Sequence, residues 1–324
     1  MSAAPRTISF VTVVFEPEIA LLRLQARSLA RFLDEACVAE IVVLDNFVNG
    51  MRSGTRRRLL AEFGPALAPR VSIIRTSKLG VHHNTEGWRS QQAAKLLIAK
   101  HIDTEHYVIL DAKNHLIAPA SIRDFVDDTG RALGRTHPYS GHPLRGDLER
   151  TLRHLGADDA EVARALQDFP PTATPFVMET SLVLRMIRGV ESAAAAPFAI
   201  AFERARLLEF FLYAGWSILR EHRVPINGAH IPAAIIWPSR ATEQGASDAI
   251  REVDEASAHW FSVHRRVLVR ADAATRQRII DFWVSRGLMD TAEAGRFVRS
   301  FRRAYVPAVA RARIAERLSG LGGR

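Results

Sequence analysis

The sequence predicts an α/β protein: a mostly parallel sheet flanked by helices, followed by a helical carboxyl-terminal extension. Three observations carry this reading. Short β-branched runs alternate with single helical patterns through the first half. Polar residues gather where those runs end. From Asp272 onward the chain shows helix caps and arginines at helical spacing.

Ile8–Phe15 reads as the first strand from its β-branched content. Pro17 suits the first turn of a helix, in which Ile19, Leu22, Ala26, Leu29 and Leu33 form an apolar stripe. Arg23, Arg27 and Arg31 line another face of it. Ile41–Leu44 is the second strand and ends at Asp45-Asn46; a helix over Arg56–Phe63 stops at Gly64-Pro65. Val71–Arg75 is the third strand, Thr85–Ile102 the next helix, and Tyr107–Leu110 the fourth strand, ending at Asp111.

After Pro119 the pattern changes. Asp158 with Glu161 marks a capped helix that ends by Phe169-Pro170-Pro171. Phe176–Met178 reads as a strand, Pro197 to about His222 as one long apolar helix, and Ile231–Trp237 as a strand closed by Pro238. Ser239–Ser247 is polar and aperiodic, which predicts a hinge or flexible loop. A division between a first domain, 1–245, and a basic helical extension, 246–324, is placed there. In the extension, WFSVHRR (260–266) shows strand alternation, and Asp272 and Asp290 are N-cap candidates, the second with Glu293. Arg296, Arg299, Arg302, Arg303, Arg311, Arg313 and Arg317 follow.

Composition fits a folded chain: of 324 residues, 48% are apolar and 24% charged, which excludes a disordered or fibrous protein. The single cysteine, Cys37, excludes an intramolecular disulfide and reads as a small buried hydrophobe. No run approaches the ~20 apolar residues of a spanning helix, and the first strand is too short for a signal peptide. A cytoplasmic protein is expected, peripheral on the inner membrane face if it meets a membrane. With 44 Lys+Arg against 35 Asp+Glu the formal charge is +9. That balance points toward phosphorylated small molecules, nucleic acid or lipid headgroups.

In an open parallel sheet, ligands bind beyond the carboxyl ends of the strands. At those ends stand Glu16, Asp45, Asn46, Lys78 and Asp111-Ala112-Lys113-Asn114-His115. On the helix that follows Gly87, Trp88, Gln91, Gln92 and Lys95 share one stripe, while Ala93, Leu96 and Leu97 share another. The second stripe packs on the sheet, which leaves Gln92 and Lys95 to grip a phosphate or base. His82-His83 reads as an exposed loop pair, and His137 and His142 as turn residues. No Gly-rich nucleotide loop or Ser-His-Asp signature is present.

The runs IVVLDN (41–46), GWRSQQAAKLL (87–97) and YVILDAKNHLI (107–117) resemble the nucleotide-sugar-binding half of single-Rossmann-like, GT-A type glycosyltransferases. More narrowly, they resemble a family of bacterial glycosyltransferase-like proteins of unassigned function. The likeness covers roughly residues 6–265, including PFVMET, EFFLYAGW and WFSVHR. It implies a GT-A-like fold with a nucleotide-diphosphate sugar over the sheet. The base would lie near Asp45 and Asn46, the diphosphate near the loop after Leu110, and the acceptor against about 135–245. Most such enzymes carry Asp-x-Asp in that loop and hold the diphosphate through a divalent metal. Here it reads Asp111-Ala112-Lys113.

Two readings follow. In one, Asp111 ligates Mg²⁺ or Mn²⁺ with help from His115 or His264. In the other, which the sequence favours, Lys113 with Arg89, Lys95 or Arg265 stabilises the leaving diphosphate without metal. Gln92, Lys95 and Arg89 would contact the nucleotide or phosphates, and His264 would reach back to the diphosphate. Glu179 and Glu209 are the candidate bases for an acceptor hydroxyl.

The expected function is therefore transfer of a sugar from a nucleotide-diphosphate donor to a glycan or lipid-linked saccharide, in bacterial surface polysaccharide or glycolipid synthesis. The arginine-rich tail would lie on an anionic bilayer or, alternatively, pack on its own domain with the arginines solvated. The rival functions are a nucleotide-sugar-binding protein without turnover and a basic nucleic-acid binder. Against the last, no helix-turn-helix, RNP or zinc-finger pattern occurs.

Overall fold

A computed structural model describes residues 6–81, 87–229, 231 and 233–321, except the side chains of 87, 88, 312, 313 and 315–321. The expected His82, His83 and the start of a helix at Thr85 lie outside the described residues, as do the side chains of Trp88, Arg313 and Arg317.

The first half alternates as its pattern requires: β1 (Ile8–Val14), α1 (Ile19–Phe32), β2 (Val38–Asp45), α2 (Ser53–Glu62), α3 (Gly64–Leu67), β3 (Val71–Arg75), α4 (Gly87–Leu97) and β4 (His106–Asp111). There follow β5 (Asn114–Leu116), α5 (Arg145–His154), α6 (Asp159–Gln167), β6 (Phe176–Glu179), α7 (Thr180–Ala194), α8 (Phe198–Arg204) and α9 (Glu209–Arg220). The chain ends with β7 (Ala233–Ile236), α10 (Glu243–Glu255), β8 (Trp260–Val263), α11 (Arg265–Arg270), α12 (Ala273–Ser285) and α13 (Thr291–Leu321).

The main sheet has the order β3-β2-β1-β4-β6, parallel except for β6, which runs antiparallel to β4. All seven residues of β1 are buried, as a strand covered on both faces demands. Its alternation divides the core. Phe10 and Val14 join Leu22, Leu29 and Leu110 on one face; Val11 and Val13 join Leu96, Ile109 and Met178 on the other. A smaller sheet, β5-β8-β7, stands on the first face. The α/β class with a mostly parallel, helix-flanked sheet and a carboxyl-terminal helix is thus what the chain adopts.

Four local expectations need correction. The long helix from Pro197 is two helices, broken where Arg206 takes a left-handed φ of 53° before Leu207 and Leu208 turn into the core. Ser239–Ser247 is no flexible loop: Thr242 caps α10 by accepting from the Gly245 N–H at 3.1 Å, and Ala246, Ala249 and Val253 are buried. Asn114–Leu116 is a strand, paired antiparallel with β8, and not part of a strand-end loop. The 245/246 division falls inside α10, and β8 beyond it lies between β5 and β7. Trp260, Trp283 and Phe301 share one core with Phe10 and Leu22.

The helix α13 docks through Ala294, Val298, Phe301 and Ala308, leaving Arg296, Arg299, Arg302 and Arg303 exposed. Its Arg311 reaches Glu16 at 3.1 Å, so the tail lies against the turn that follows β1. Among the described residues, no helix is long and apolar enough to cross a membrane.

Candidate functional site

The main sheet reverses its winding between β1 and β4. The chain runs outward through β1, β2 and β3, then crosses back to β4. Such a reversal leaves a crevice beyond the carboxyl ends of the two central strands, where a ligand can reach polar backbone and side chains. Asp111 closes β4 on one side of it, in register with Val13 of β1. The second sheet brings further ends there. Asn114 pairs with Ser262 and Ile236 with Val263, so His264 and Trp237, one residue beyond each strand, meet Lys113.

Asp111 is the centre of the cluster. Its Oδ1 takes the Lys95 ammonium at 2.9 Å, and its Oδ2 takes the Lys113 ammonium and the Thr174 hydroxyl, the latter at 3.2 Å. Its side chain keeps 31% of its surface exposed. Burial pushes the carboxyl up, but Lys113 and Lys95 outweigh it and hold Asp111 far below the usual carboxylate range. The loop is fixed from beneath. Gln25 accepts from Thr12 and donates to the carbonyls of Asp111 and Asn114 at 2.8 and 2.9 Å. The Asn114 side chain accepts from the Asp111 N–H and donates to Ser262.

Lys95 is itself buried between two carboxylates, Asp111 and Glu209, the second at 3.2 Å. Burial opposes its charge, yet the two carboxylates raise its pKa above the ordinary lysine value. Glu209, also buried, is pushed up by burial, which Lys95 only partly offsets. Gln92 accepts from the Glu209 N–H at 3.2 Å, tying α4 to α9. Arg89 is buried one turn before it on α4.

On the other flank, Lys113 lies 5.7 Å from the centroid of the Trp237 indole, which is 46% exposed. The His264 ring is 5.8 Å from the same indole. His264 caps α11, its Nδ1 accepting from the Arg266 N–H at 3.2 Å. Burial, then Arg265 and Lys113, lowers its pKa to about 4. Arg265 pairs with Glu18, whose carboxyl is pushed up by burial against the pull of Arg265 and Lys113. Beside Thr174 a cleft of ≈ 260 Å³ opens, lined among others by Thr136, Pro175, Phe176, Ile226 and Ile231.

The structure therefore brings Asp111, Lys113, Lys95, Gln92, Glu209, His264 and Arg265 to one rim. Four expected residues stand elsewhere. Asp45 is fully buried, and its two oxygens accept from the N–H groups of Phe47 and Met51 at 3.1 and 2.7 Å, so it shapes the loop after β2. Asn46 is buried too, accepting from Thr76 at 2.9 Å. His115 points into the core, because β5 turns it inward: Trp283 donates to its Nε2 at 2.9 Å. Glu179 pairs with His106, the first residue of β4, and so lies at the opposite end of the sheet from Asp111. It is held there by Arg223 at 2.5 Å.

These positions bear on the reading in which Asp111 ligates a metal. His115 is turned away, Asp111 faces two ammonium groups, and no three His, Cys, Asp or Glu among the described residues could hold a metal ion. Of the ligands expected for a metal only Asp111 and His264 share this rim, and a carboxylate already engaged by two ammonium groups is a poor donor for a divalent cation. Glu18, Gln25, Thr174 and Trp237 went unread as site residues. Glu18 and Trp237 follow strands and fall under the strand-end rule once it is extended past a turn. Gln25 and Thr174 carry no sequence signal.

A sequence model described as a family of unknown function, DUF6492, matches residues 5–283. No curated protein matches the sequence. Among solved structures, the apo form of WbbM, described as a bifunctional glycosyltransferase, aligns with a TM-score of 0.50 at 12% identity. The alignment covers 92% of this chain and 52% of that one, so this chain spans about half its length. The galactosyltransferase LgtC, in complex with donor and acceptor sugar analogs, gives a TM-score of 0.49 at 13% identity, over 87% of this chain and 100% of its own. Mouse xyloside xylosyltransferase 1 gives 0.40 at 13%, over 80% and 98%. The likeness to WbbM is one of fold, and the fold comparison rests on it.

Proposed function

The chain belongs to the DUF6492 family, and from that premise we propose that it is a glycosyltransferase acting on a nucleotide-diphosphate sugar without a divalent metal. One observation carries the reading. Two ammonium groups, Lys95 and Lys113, converge on the single carboxylate Asp111 at the point where the sheet reverses its winding. The fold shared with WbbM supports the same class of activity.

In this reading the diphosphate lies against Lys113, whose ammonium Asp111 holds in place. When the bond from the sugar to the diphosphate breaks, negative charge grows on the leaving phosphate oxygens. A fixed ammonium in a half-buried crevice stabilises that charge with little reorganisation. Lys95 supports from below, and Glu209 acts as a positioning residue through it. The acceptor hydroxyl enters from the cleft beside Thr174, its oxygen bonding to the anomeric carbon as the bond to the diphosphate breaks and its proton passing to the departing diphosphate. A glycan or lipid-linked saccharide is the acceptor class. The exposed Arg299, Arg302 and Arg303, none in an ion pair among the described residues, give α13 a face for an anionic bilayer.

A second reading, binding without turnover, has its own support. Asp111 and Glu209 are tied to lysines, and Glu16 and Glu18 to arginines. The deciding experiment is thermal denaturation with nucleoside diphosphates and their sugars, each with and without EDTA, followed by a transfer assay. A ligand at ~100 times its Kd stabilises by ~2.7 kcal/mol. Stabilisation that survives EDTA and is followed by transfer supports the proposal. Stabilisation without transfer or hydrolysis favours the second reading. No stabilisation by any nucleotide overturns both, and loss with EDTA overturns the metal-free form.

A further inference from the structure

We infer that Trp237 and His264 form a platform for a pyranose ring beside the diphosphate position, an inference that rests on the glycosyltransferase reading and names the ring chemistry it would recognise. A single exposed apolar side chain is ordinary. Trp237 is not alone. Its indole is 46% exposed, whereas Trp260 and Trp283 are 1% and 0% exposed. The Lys113 ammonium lies over the Trp237 indole, 5.7 Å from its centroid, and the His264 ring is tilted by 38° against it at 5.8 Å. Pro238 follows it and begins a tight turn, which fixes the backbone at the end of β7.

His264 contributes a defined hydrogen-bond donor. Its Nδ1 accepts from the Arg266 N–H, so the neutral ring carries its proton on Nε2. The ring stays neutral at physiological pH, since burial and the cations Arg265, Lys113 and Arg266 oppose a second proton. Beside the indole there are thus two donors, Nε2–H and the Lys113 ammonium, the second also engaged by Asp111.

The complementary ligand has a face of weakly positive C–H groups for the electron-rich indole and oxygen acceptors at its edge. A pyranose ring has both. An aliphatic chain lacks the oxygens. A nucleobase has a stacking face, but a base lies beyond two phosphates and a ribose from the diphosphate's outer end, whereas the transferred sugar is bonded to that end directly. The same chemistry is offered by the donor's sugar and by an acceptor saccharide, and the test separates them.

The difference in tryptophan emission between the wild type and Trp237→Phe isolates this indole. It is followed during titration with methyl hexopyranosides and disaccharides, with nucleosides, and with nucleoside diphosphates against their hexose conjugates. The expected result is a change with pyranose-bearing probes that Trp237→Phe lacks. Trp237→Ala should weaken that binding about tenfold, about 1.4 kcal/mol, and His264→Ala should weaken it several-fold. A response to free glycosides assigns the platform to the acceptor. A response to hexose conjugates beyond that of the bare diphosphate assigns it to the donor. A change produced in full by nucleosides overturns the inference in favour of base stacking. Silence toward every pyranose, while nucleoside diphosphates still raise the melting temperature, overturns the inference and leaves the transferase reading standing. A pyranose response without any nucleotide binding does the reverse.

Discussion

Two aspartates flank β1 in neighbouring strands: Asp45 opposite Val14 at the end of β2, and Asp111 opposite Val13 at the end of β4. Sequence rules treat them alike, yet the molecule uses them in opposite ways. Asp45 gives both oxygens to backbone N–H groups that cannot leave. Asp111 gives its oxygens to two lysine ammoniums and a threonine hydroxyl, and stays partly open to solvent. Backbone amides are a permanent fixture of a loop. An ammonium carries three donors, so one held by a carboxylate still has N–H groups to offer an anion. The winding decides which is which, because the crevice opens between β1 and β4 and not between β1 and β2.

The sharpest way to break this contrast is Lys95→Met. It leaves Asp111 and Glu209 in a buried site without their shared cation, and removal of one partner from a buried ion network costs about 3–5 kcal/mol. Urea denaturation should show that loss. A change below about 1 kcal/mol would mean that the network is solvated and the cluster far looser than its geometry indicates.

Next in size is a pH effect that separates core from rim. His115 is 1% exposed, its Nε2 accepting from Trp283 and its Nδ1 facing the Lys113 carbonyl, and burial lowers its pKa to about 4. The unfolded chain protonates this histidine near 6.5, while the native state resists until about 4. In that window the unfolded state binds more protons, so stability falls as pH falls, by about 3 kcal/mol across the window. Urea midpoints between pH 7 and 4.5 should drop steeply in the wild type and less steeply in His115→Phe. Equal slopes would place His115 outside the core.

A third test pairs the two strand ends directly. Asp45→Ala strips two buried N–H groups of their acceptor and should cost about 2 kcal/mol, with nucleotide affinity of the folded protein unchanged. Lys113→Ala should do the opposite. Its stability should stay within about 1 kcal/mol of wild type, while loss of a charged contact weakens diphosphate binding about ten- to hundredfold. Calorimetric titration with nucleoside diphosphates reads both. If Asp45→Ala loses affinity and Lys113→Ala does not, the two ends have been assigned in reverse.

The strands and helices of the first half were legible because β-branched runs and single helical stripes repeat there without interruption. Capping pairs at Asp158 and Asp290 also read directly, since both form their expected bonds. What stayed hidden depends on contacts distant in sequence. The inward turn of His115 needs β8, nearly 150 residues later, to draw β5 into a second sheet. The role of Asp45 depends on Phe47 and Met51 folding back over it, and a strand-end aspartate looks the same in either use. Lys95 was visible from its stripe, but its position between Asp111 and Glu209 required α4 and α9 to pack side by side.

The smallest expected effect concerns Glu179, which the sequence made a candidate base on a par with Glu209. In the antiparallel β4–β6 pair it stands opposite His106, five residues before Asp111. At roughly 3.3 Å per residue that separation is about 16 Å, far beyond proton-transfer reach. Its surroundings explain its charge without catalysis. Burial works against its ionisation, but Ser181 and Arg223 more than compensate and lower its pKa, with Arg185 beside them. This is a partly exposed ion network, and such pairs contribute about 1 kcal/mol or less. Glu179→Gln should therefore shift the urea midpoint slightly and leave nucleotide affinity and any transfer rate within about twofold of wild type. The variant tests the whole placement of the site, because it changes charge at one end of β4 and leaves the other untouched. A folded Glu179→Gln protein that no longer binds nucleotide would move the chemistry to the amino ends of the strands, and the contrast between Asp45 and Asp111 would then describe two loops and no site.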